Sequence, residues 1–368
     1  MREFEWSDEA KHLTFGTLKE VVSEVPKRDD TIALHGGLPP PESFPIQSIS
    51  IKLYNEESID IPASMGQQQY NVSACGYEPL RSWCQDHTRQ HHKSRSDVHE
   101  TMITDSTTHA LDAVTSLLLN PGDSILIEEY TYCHFLDCTV GRQGYDAVSV
   151  PMDDQGIIPD ELEQVIMQRI EQSNATSSSC SESRRKIIPK VLYVIPTSQN
   201  PTGCSLPKCR REKIYQICQK HDIYIIEDDP YYYLQFRLDR SCNQPGIRGL
   251  TTHSFLPFDV DGRVIRLDSF AKFLAPGFRL GWATAAPPMI EKLSMKIQSA
   301  TLGGNMVCQT IVSAMLDHWG LPGLHDYVSR MQALYAQKAS AALQSLNKHL
   351  KDIAEWKEPS GGMFLVGI

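Results

Sequence analysis

Residues 259–282 read DVDGRVIRLDSFAKFLAPGFRLGW. The stretch opens on turn residues and runs through the apolar Val264-Ile265-Arg266-Leu267. It then breaks into Asp268-Ser269 and, three residues on, Lys272. A short run rich in β-branched residues, bounded by turn formers, reads as a buried strand. Working outward, four more runs read the same way: SILIE (124–128), DAVSV (146–150), VLYVI (191–195) and IYIIE (223–227). Helical sequence lies between them. THALDAVTSLLL (108–119) gathers its apolar residues on one side and stops at Asn120-Pro121-Gly122, and LPKCRREKIYQICQKH (206–221) opens near a proline and closes on Lys and His, which suit a helix C-terminus. Buried strands alternating with helices predict an α/β chain with a mostly parallel central sheet flanked by helices. From about Pro288 the sequence is largely helical, including LHDYVSRMQALYAQKASAALQSL, which predicts a second, smaller subdomain.

The chain has 368 residues, 41% hydrophobic and 22% charged. That is ordinary globular composition, with length enough for two domains. A net charge of −10 without a long basic run argues against nucleic acid or an anionic membrane as partner. No apolar run is long enough to span a bilayer. The opening MREFEWSDEAKHLTF has neither the basic start nor the apolar core of a secretion signal, so the expected location is the cytoplasm. The ten cysteines are scattered. The pairs Cys133/Cys138 and Cys204/Cys209 are spaced too widely for a zinc knuckle, so reduced structural thiols and no metal are expected. His87, His91 and His92 fall in the polar QDHTRQHHKSRSD and read as a solvated helix end. EQSNATSSSCSESRRK (171–186) reads as an inserted surface loop.

Open α/β sheets bind ligands outside the carboxyl ends of their strands. The residues just past each strand therefore matter most. After VLYVIP come Thr197-Ser198-Gln199-Asn200-Pro201-Thr202-Gly203. After IYIIE come Asp228-Asp229-Pro230-Tyr231-Tyr232-Tyr233. After VIRL come Asp268-Ser269-Phe270-Ala271-Lys272. Glu129-Tyr130-Thr131-Tyr132 come after SILIE, and Asp105-Ser106-Thr107-Thr108 precede the helix at 108. Each alone is weak, since Asn-Pro-Thr-Gly is usually a turn and a lone Lys a surface charge. Together they match the needs of pyridoxal 5'-phosphate chemistry: an amine to hold the cofactor, an acid for the pyridine nitrogen, donors to the ring oxygen, an aromatic over the ring and a phosphate cup. No G-x-G-x-x-G stands after an early strand, so dinucleotide binding has no support.

These residues carry a family resemblance. LHGGLPPPESFP, NPTG, IIEDDPYYYLQF, the 259–282 stretch and the final GGMFL resemble the fold-type I, class I/II aminotransferases. The match is to the branch of kynurenine/2-aminoadipate and fungal aromatic aminotransferases, from about residue 30 to the last residue. The resemblance implies a pyridoxal-phosphate transferase fold. It implies Lys272 as Schiff-base lysine and proton carrier, and Asp228 on the pyridine nitrogen. Asn200 and Tyr231 donate to the ring oxygen, and Tyr132 lies on the ring. Thr107, Thr108, Ser269 and Arg279 hold the phosphate. Tyr70 reaches a neighbouring subunit's phosphate in a homodimer, and Gly37 lies near the substrate carboxylate. Tyr232, Tyr233 and Trp282 are expected to pack. The implied domains are 1–50 (N-terminal segment and part of the small domain), 51–295 (large, cofactor-binding) and 296–368 (interdomain helix and incomplete small domain).

Two departures stand out. The family's Ser-x-Ser-Lys reads Ser269-Phe270-Ala271-Lys272 here, one hydroxyl short. The sequence also ends at Gly361-Gly362-Met363-Phe364-Leu365-Val366-Gly367-Ile368, where the family continues to the Arg that pairs with the substrate carboxylate. A last strand left unpaired there predicts an exposed sheet edge. The expected activity is amino transfer between an aromatic, kynurenine-like or 2-aminoadipate-like amino acid and a 2-oxo acid. The alternatives are a carbon–sulfur lyase on the same scaffold and a truncated, inactive relative.

Overall fold

The strand Val191–Val194 sets the layers. Val191 and Tyr193 enter one apolar cluster, while Leu192 and Val194 enter another. Both sides are buried, as in a strand covered by helices on each face. The computed structural model describes residues 2–16, 37–62, 68–70, 73–175, 187–236 and 254–367.

In chain order the main elements are α1 (Asp8–His12), β1 (Ser48–Lys52), β2 (Ser58–Pro62), α2 (Glu78–His92), β3 (Glu100–Thr104), α3 (Thr107–Leu118), β4 (Ser124–Glu128) and β5 (Asp146–Val150). Next come β6 (Met152–Asp153), β7 (Gly156–Ile157), α4 (Pro159–Ala175), β8 (Val191–Val194), α5 (Lys208–Lys220), β9 (Tyr224–Asp228), β10 (Val264–Ser269), β11 (Gly281–Ala285), α6 (Pro287–Thr301) and α7 (Met306–His349). α7 breaks at Gly320, whose φ of 56° leaves the helix just before Pro322.

The central sheet has the order β3-β11-β10-β9-β8-β4-β5. Neighbours from β10 to β5 are parallel, and β11 is antiparallel to both β10 and β3. Six strands therefore run one way and β11 alone is reversed, which is the mostly parallel α/β sheet expected. α3 and α6 cover one face through residues such as Leu111, Val114, Met289 and Leu293. α4 and α5 cover the other through Leu162, Ile166, Ile214 and Cys218. α2 and α7 close the β11 end around Trp282 and Phe270. Trp282, Tyr232 and Tyr233 are packing residues, as expected, and Trp282 Nε1 donates to Thr88 Oγ1 at 3.1 Å.

Three local expectations change. His87 and His92 are buried, not solvated. α2 lays that side against the core: Tyr233 Oη lies 2.6 Å from His87 Nε2, and the His87 ring stacks between Trp83 and His91. The Ser-rich segment begins later than expected, because α4 continues through Ala175 with Ser173 buried, and residues 176–186 lie outside the described residues. The final glycines are not an open strand. Gly361 bridges Gln235, Gly362 N donates to Leu234 O at 3.0 Å, and a Cβ on Gly362 would sit 2.5 Å from Ser198 Cβ.

The hairpin β1–β2 packs Ile59 and Ile61 on Met315 of α7, and the expected domain boundary at residue 50 falls inside β1. The N-terminal residues lie on the large sheet's helical layer, with Phe4 stacked on Tyr224 and Ser7 Oγ donating to Ser116 O at 2.6 Å. Among the described residues no helix is long and apolar enough to cross a membrane.

Candidate active site

Parallel strands bring their carboxyl ends to one rim. Because β11 is reversed, its first residue joins that rim too, with Gly281 opposite both Ser269 and Thr104. The approach is close enough that a Cβ on Gly281 would lie 2.5 Å from Asp268 O and 3.3 Å from Thr107 N. Only glycine allows β10, β11 and the start of α3 to meet here. The rim thus collects the loops after β3, β4, β8, β9 and β10 and the turn before β11. These carry every expected cofactor residue except Tyr70.

Asp228 ends β9 and is buried. Tyr193 Oη donates to its Oδ2 at 2.9 Å, while Oδ1 is buried with no hydrogen-bond partner among the described residues. Burial pushes the Asp228 carboxyl up to about 7. Asp229 and Asp268 add to the rise, and Tyr193 and Arg266 oppose it. A buried carboxyl oxygen with nothing to accept is costly, and it fits a ring N–H donor.

Around it stand the other groups. Lys272 Nζ lies 6.0 Å from the Tyr231 ring centroid, and Asn200 Nδ2 is 3.4 Å from Tyr231 Oη. Tyr132 caps a short helical turn from Cys133. Burial raises its hydroxyl pKa, Asp228 raises it further and Arg279 lowers it. Phe364, from the final segment, meets the Tyr231 ring edge-on with centroids 5.5 Å apart.

Thr107 and Thr108 form the first turn of α3, capped by Ser106, whose Oγ accepts from His109 N. A cavity of about 310 Å³ is lined by Ser106, Thr108, His109 and Arg279 together with Asp112 and Arg142. The helix N-terminus, the hydroxyls and the exposed Arg279, whose Nη1 donates to Pro276 O at 3.3 Å, suit a phosphate. Ser269 closes β10 and its Oγ accepts from Ala271 N at 3.1 Å. The residues present therefore fit pyridoxal phosphate at both its nitrogen and its phosphate.

Two expected residues lie apart. Tyr70 is 59% exposed and lines a different cavity of about 380 Å³, with Pro39, Leu302, Gly304 and Asn305. Gly37 is exposed, with φ +51° and open space around it. The sequence reading missed Tyr193, which only looked like one more strand residue. It also missed the bracket behind Asn200: Gln199 Nε2 donates to Glu128 Oε2 at 3.1 Å and also bonds Tyr130 O, tying the Asn200 loop to the Tyr132 loop. Burial pushes the Glu128 carboxyl up to about 8. Among the described residues no three His, Cys, Asp or Glu side chains are grouped to hold a metal.

This rim belongs to a known class of enzyme. The model of aminotransferase class I and II matches residues 69–368, and the chain belongs to that family. It is 33% identical to the mitochondrial kynurenine/alpha-aminoadipate aminotransferase of Bos taurus, over 96% of this chain and 80% of that protein. It is 32% identical to an aromatic amino acid aminotransferase of Schizosaccharomyces pombe, over 91% of this chain and 74% of that one. The crystal structure of aminotransferase Aro8 from Candida albicans superposes with a TM-score of 0.85 at 29% identity, covering 98% of this chain and 79% of that one. The protein is a transaminase acting on amino and 2-oxo acids, and its cofactor is pyridoxal 5'-phosphate.

Proposed function

We propose that this transaminase takes an aromatic, kynurenine-like or 2-aminoadipate-like amino acid as donor and a 2-oxo acid as acceptor. The donor class is supported by the names of its relatives in cattle and fission yeast. The observation that carries the site is the grouping of Lys272, Tyr231 and Asn200 beside a buried Asp228 whose Oδ1 has no partner among the described residues.

Pyridoxal phosphate, when bound, supplies an electron-poor ring that takes up charge from the substrate Cα. Lys272 Nζ would hold the cofactor and carry the proton at the substrate Cα. Asp228 Oδ1 would accept from the ring nitrogen. Asn200 Nδ2 and Tyr231 Oη would donate to the ring oxygen, and Tyr132 would cover the ring. Thr107, Thr108, Ser269 and Arg279 would hold the phosphate, and Gly37 would have to close in from its exposed position to approach the substrate carboxylate. The large unit would span 51–295 together with the N-terminal residues packed on it, and 296–368 would contribute to the small one. We include a homodimer, supported by the exposure of Tyr70 away from its own chain's Lys272 group. We include a cytoplasmic location too. The bovine relative is named as mitochondrial, so fractionation of the tagged chain separates the two.

The test is an absorbance spectrum of the purified chain with pyridoxal phosphate, followed by a panel of amino donors with a 2-oxo acid acceptor. Wild type gives the band of lysine-bound cofactor and Lys272→Ala does not. Identical spectra from the two proteins sink the reading. A product released without any acceptor identifies a lyase instead.

A further inference from the structure

Tyr193 sits in the middle of the sheet, on β8, opposite Ile226 of β9. Strand alternation puts Tyr193, Ile226 and Asp228 on the same face. The Tyr193 ring stacks on Phe135 with centroids 4.0 Å apart. Its hydroxyl is buried and donates to Asp228 Oδ2 at 2.9 Å. Arg266, whose charge also acts on Asp228, makes its contacts with Glu227, Asp229 and Asp268 on the other face. No other hydrogen bond to Asp228 is made by a side chain among the described residues, so Tyr193 controls one oxygen and leaves the other open.

We propose that Tyr193 is a positioning residue that keeps the proton shared between Asp228 and the cofactor on the ring nitrogen. The inference rests on the role of Asp228 proposed for this site. A hydroxyl donating to Oδ2 stabilises the carboxylate and makes Oδ1 a weaker base. The proton between Oδ1 and the ring nitrogen then stays on nitrogen, where it makes the ring a better acceptor of charge. Without the hydroxyl, Oδ2 is buried and unpaired, the carboxyl becomes more basic, and the proton moves from nitrogen to Oδ1.

The experiment loads the full chain with pyridoxal phosphate carrying ¹⁵N in the ring and reads that nitrogen's chemical shift. Tyr193→Phe is expected to move the shift toward neutral pyridine. It should also lower kcat about tenfold or more, the size of a lost hydrogen bond to a charged group. Phe135→Leu loosens the packing but keeps the hydroxyl, so it should lower the melting temperature and leave the shift in place. If both variants leave the shift in place, Tyr193 only packs and the proposal is overturned. Asp228→Asn separates this inference from its foundation. If that variant leaves the shift unmoved, the reading of Asp228 fails; if it moves the shift while Tyr193→Phe does not, only the role of Tyr193 fails. Should Tyr193→Phe not fold, 3-fluorotyrosine placed at position 193 alone supplies a stronger donor of nearly the same size. In the cofactor-free chain, ¹³C NMR should then find Asp228 titrating at lower pH than in wild type. A midpoint equal to or above that of wild type overturns the proposal.

Discussion

Three consecutive acids, Glu227, Asp228 and Asp229, lie at the end of one strand, yet the two faces of that strand treat them differently. Glu227 and Asp229 point to one face, where Arg266 reaches them at 3.0 and 3.1 Å and Asp268 at 2.6 Å, with Arg211 3.4 Å from Glu227. Ser254 Oγ and Phe255 N also bond Glu227. Asp228 points to the opposite face, where one tyrosine hydroxyl is its hydrogen-bond donor. Chemistry of residue type cannot separate these three positions. Strand alternation can, because neighbours along a strand face opposite ways. One face is an ion network that links β9, β10 and α5, although Asp229 Oδ1 there also has no hydrogen-bond partner among the described residues. The other is left electrostatically incomplete, which is the state expected of a carboxylate awaiting a cationic ring.

The sharpest way to break the comparison is to remove the cation of the closed face. Arg266→Ala leaves three buried carboxylates with one remaining arginine. Breaking a buried ion pair from one side costs about 3–5 kcal/mol, so the variant should unfold at much lower urea or fail to accumulate. A urea midpoint within error of wild type would show that this network is dispensable. On the open face the same kind of change should do the reverse. Asp228→Asn removes an uncompensated buried acid, so the cofactor-free protein should be as stable as wild type or more so. Transamination should nevertheless fall by about 10²–10³, the usual loss when a preorganised electrostatic partner is removed. Loss of stability together with activity would mean that the two faces do not divide the work.

A smaller effect lies in the pH dependence of the cofactor-free protein. The folded Asp228 carboxyl is raised to about 7 from 3.8. Between those values the folded state holds a proton that the unfolded chain has lost. Stability therefore falls as pH rises from about 4 to 7, and levels off above that for this group. Glu128, raised to about 8, acts in the same direction over a window reaching higher. Urea midpoints at pH 5 and pH 8 should differ less in Asp228→Asn than in wild type. An unchanged difference would mean that Asp228 is already ionised in the folded chain at pH 5.

Much of this was legible in the sequence, for local reasons. The runs 124–128 and 146–150 match β4 and β5, and β8, β9 and β10 differ from their runs only at their ends. Asn200, Asp228, Tyr231 and Lys272 stand out because each lies just past an apolar strand. β3 and β11 escaped notice. ETMIT and GWATA lack the continuous apolar run that marks the other strands, and Gly281 is needed for the close approach of its neighbours. The burial of His87 and His92 was also hidden, because it depends on which side of α2 meets the core. Tyr193 was invisible for a related reason. Its role depends on the register between β8 and β9, which pairs residues more than thirty positions apart.

The finest distinction between the faces is the value of one hydroxyl. Ser254 Oγ and Tyr193 Oη each donate to a buried carboxylate. On the closed face Glu227 keeps two arginines and the Phe255 N–H after Ser254→Ala, so the loss is one bond among several. The cost should be about 1–2 kcal/mol of stability, toward the lower end for a hydrogen bond to a charged group. The pH profile and kcat should stay as in wild type, because nothing on the open face has moved. Thermal melts and a kcat–pH series on Ser254→Ala check both halves. A shifted kcat profile would mean that the Ser254–Glu227 bond also reaches Asp228, beyond the charges of Arg266, Asp229 and Asp268 that already act on it through the strand.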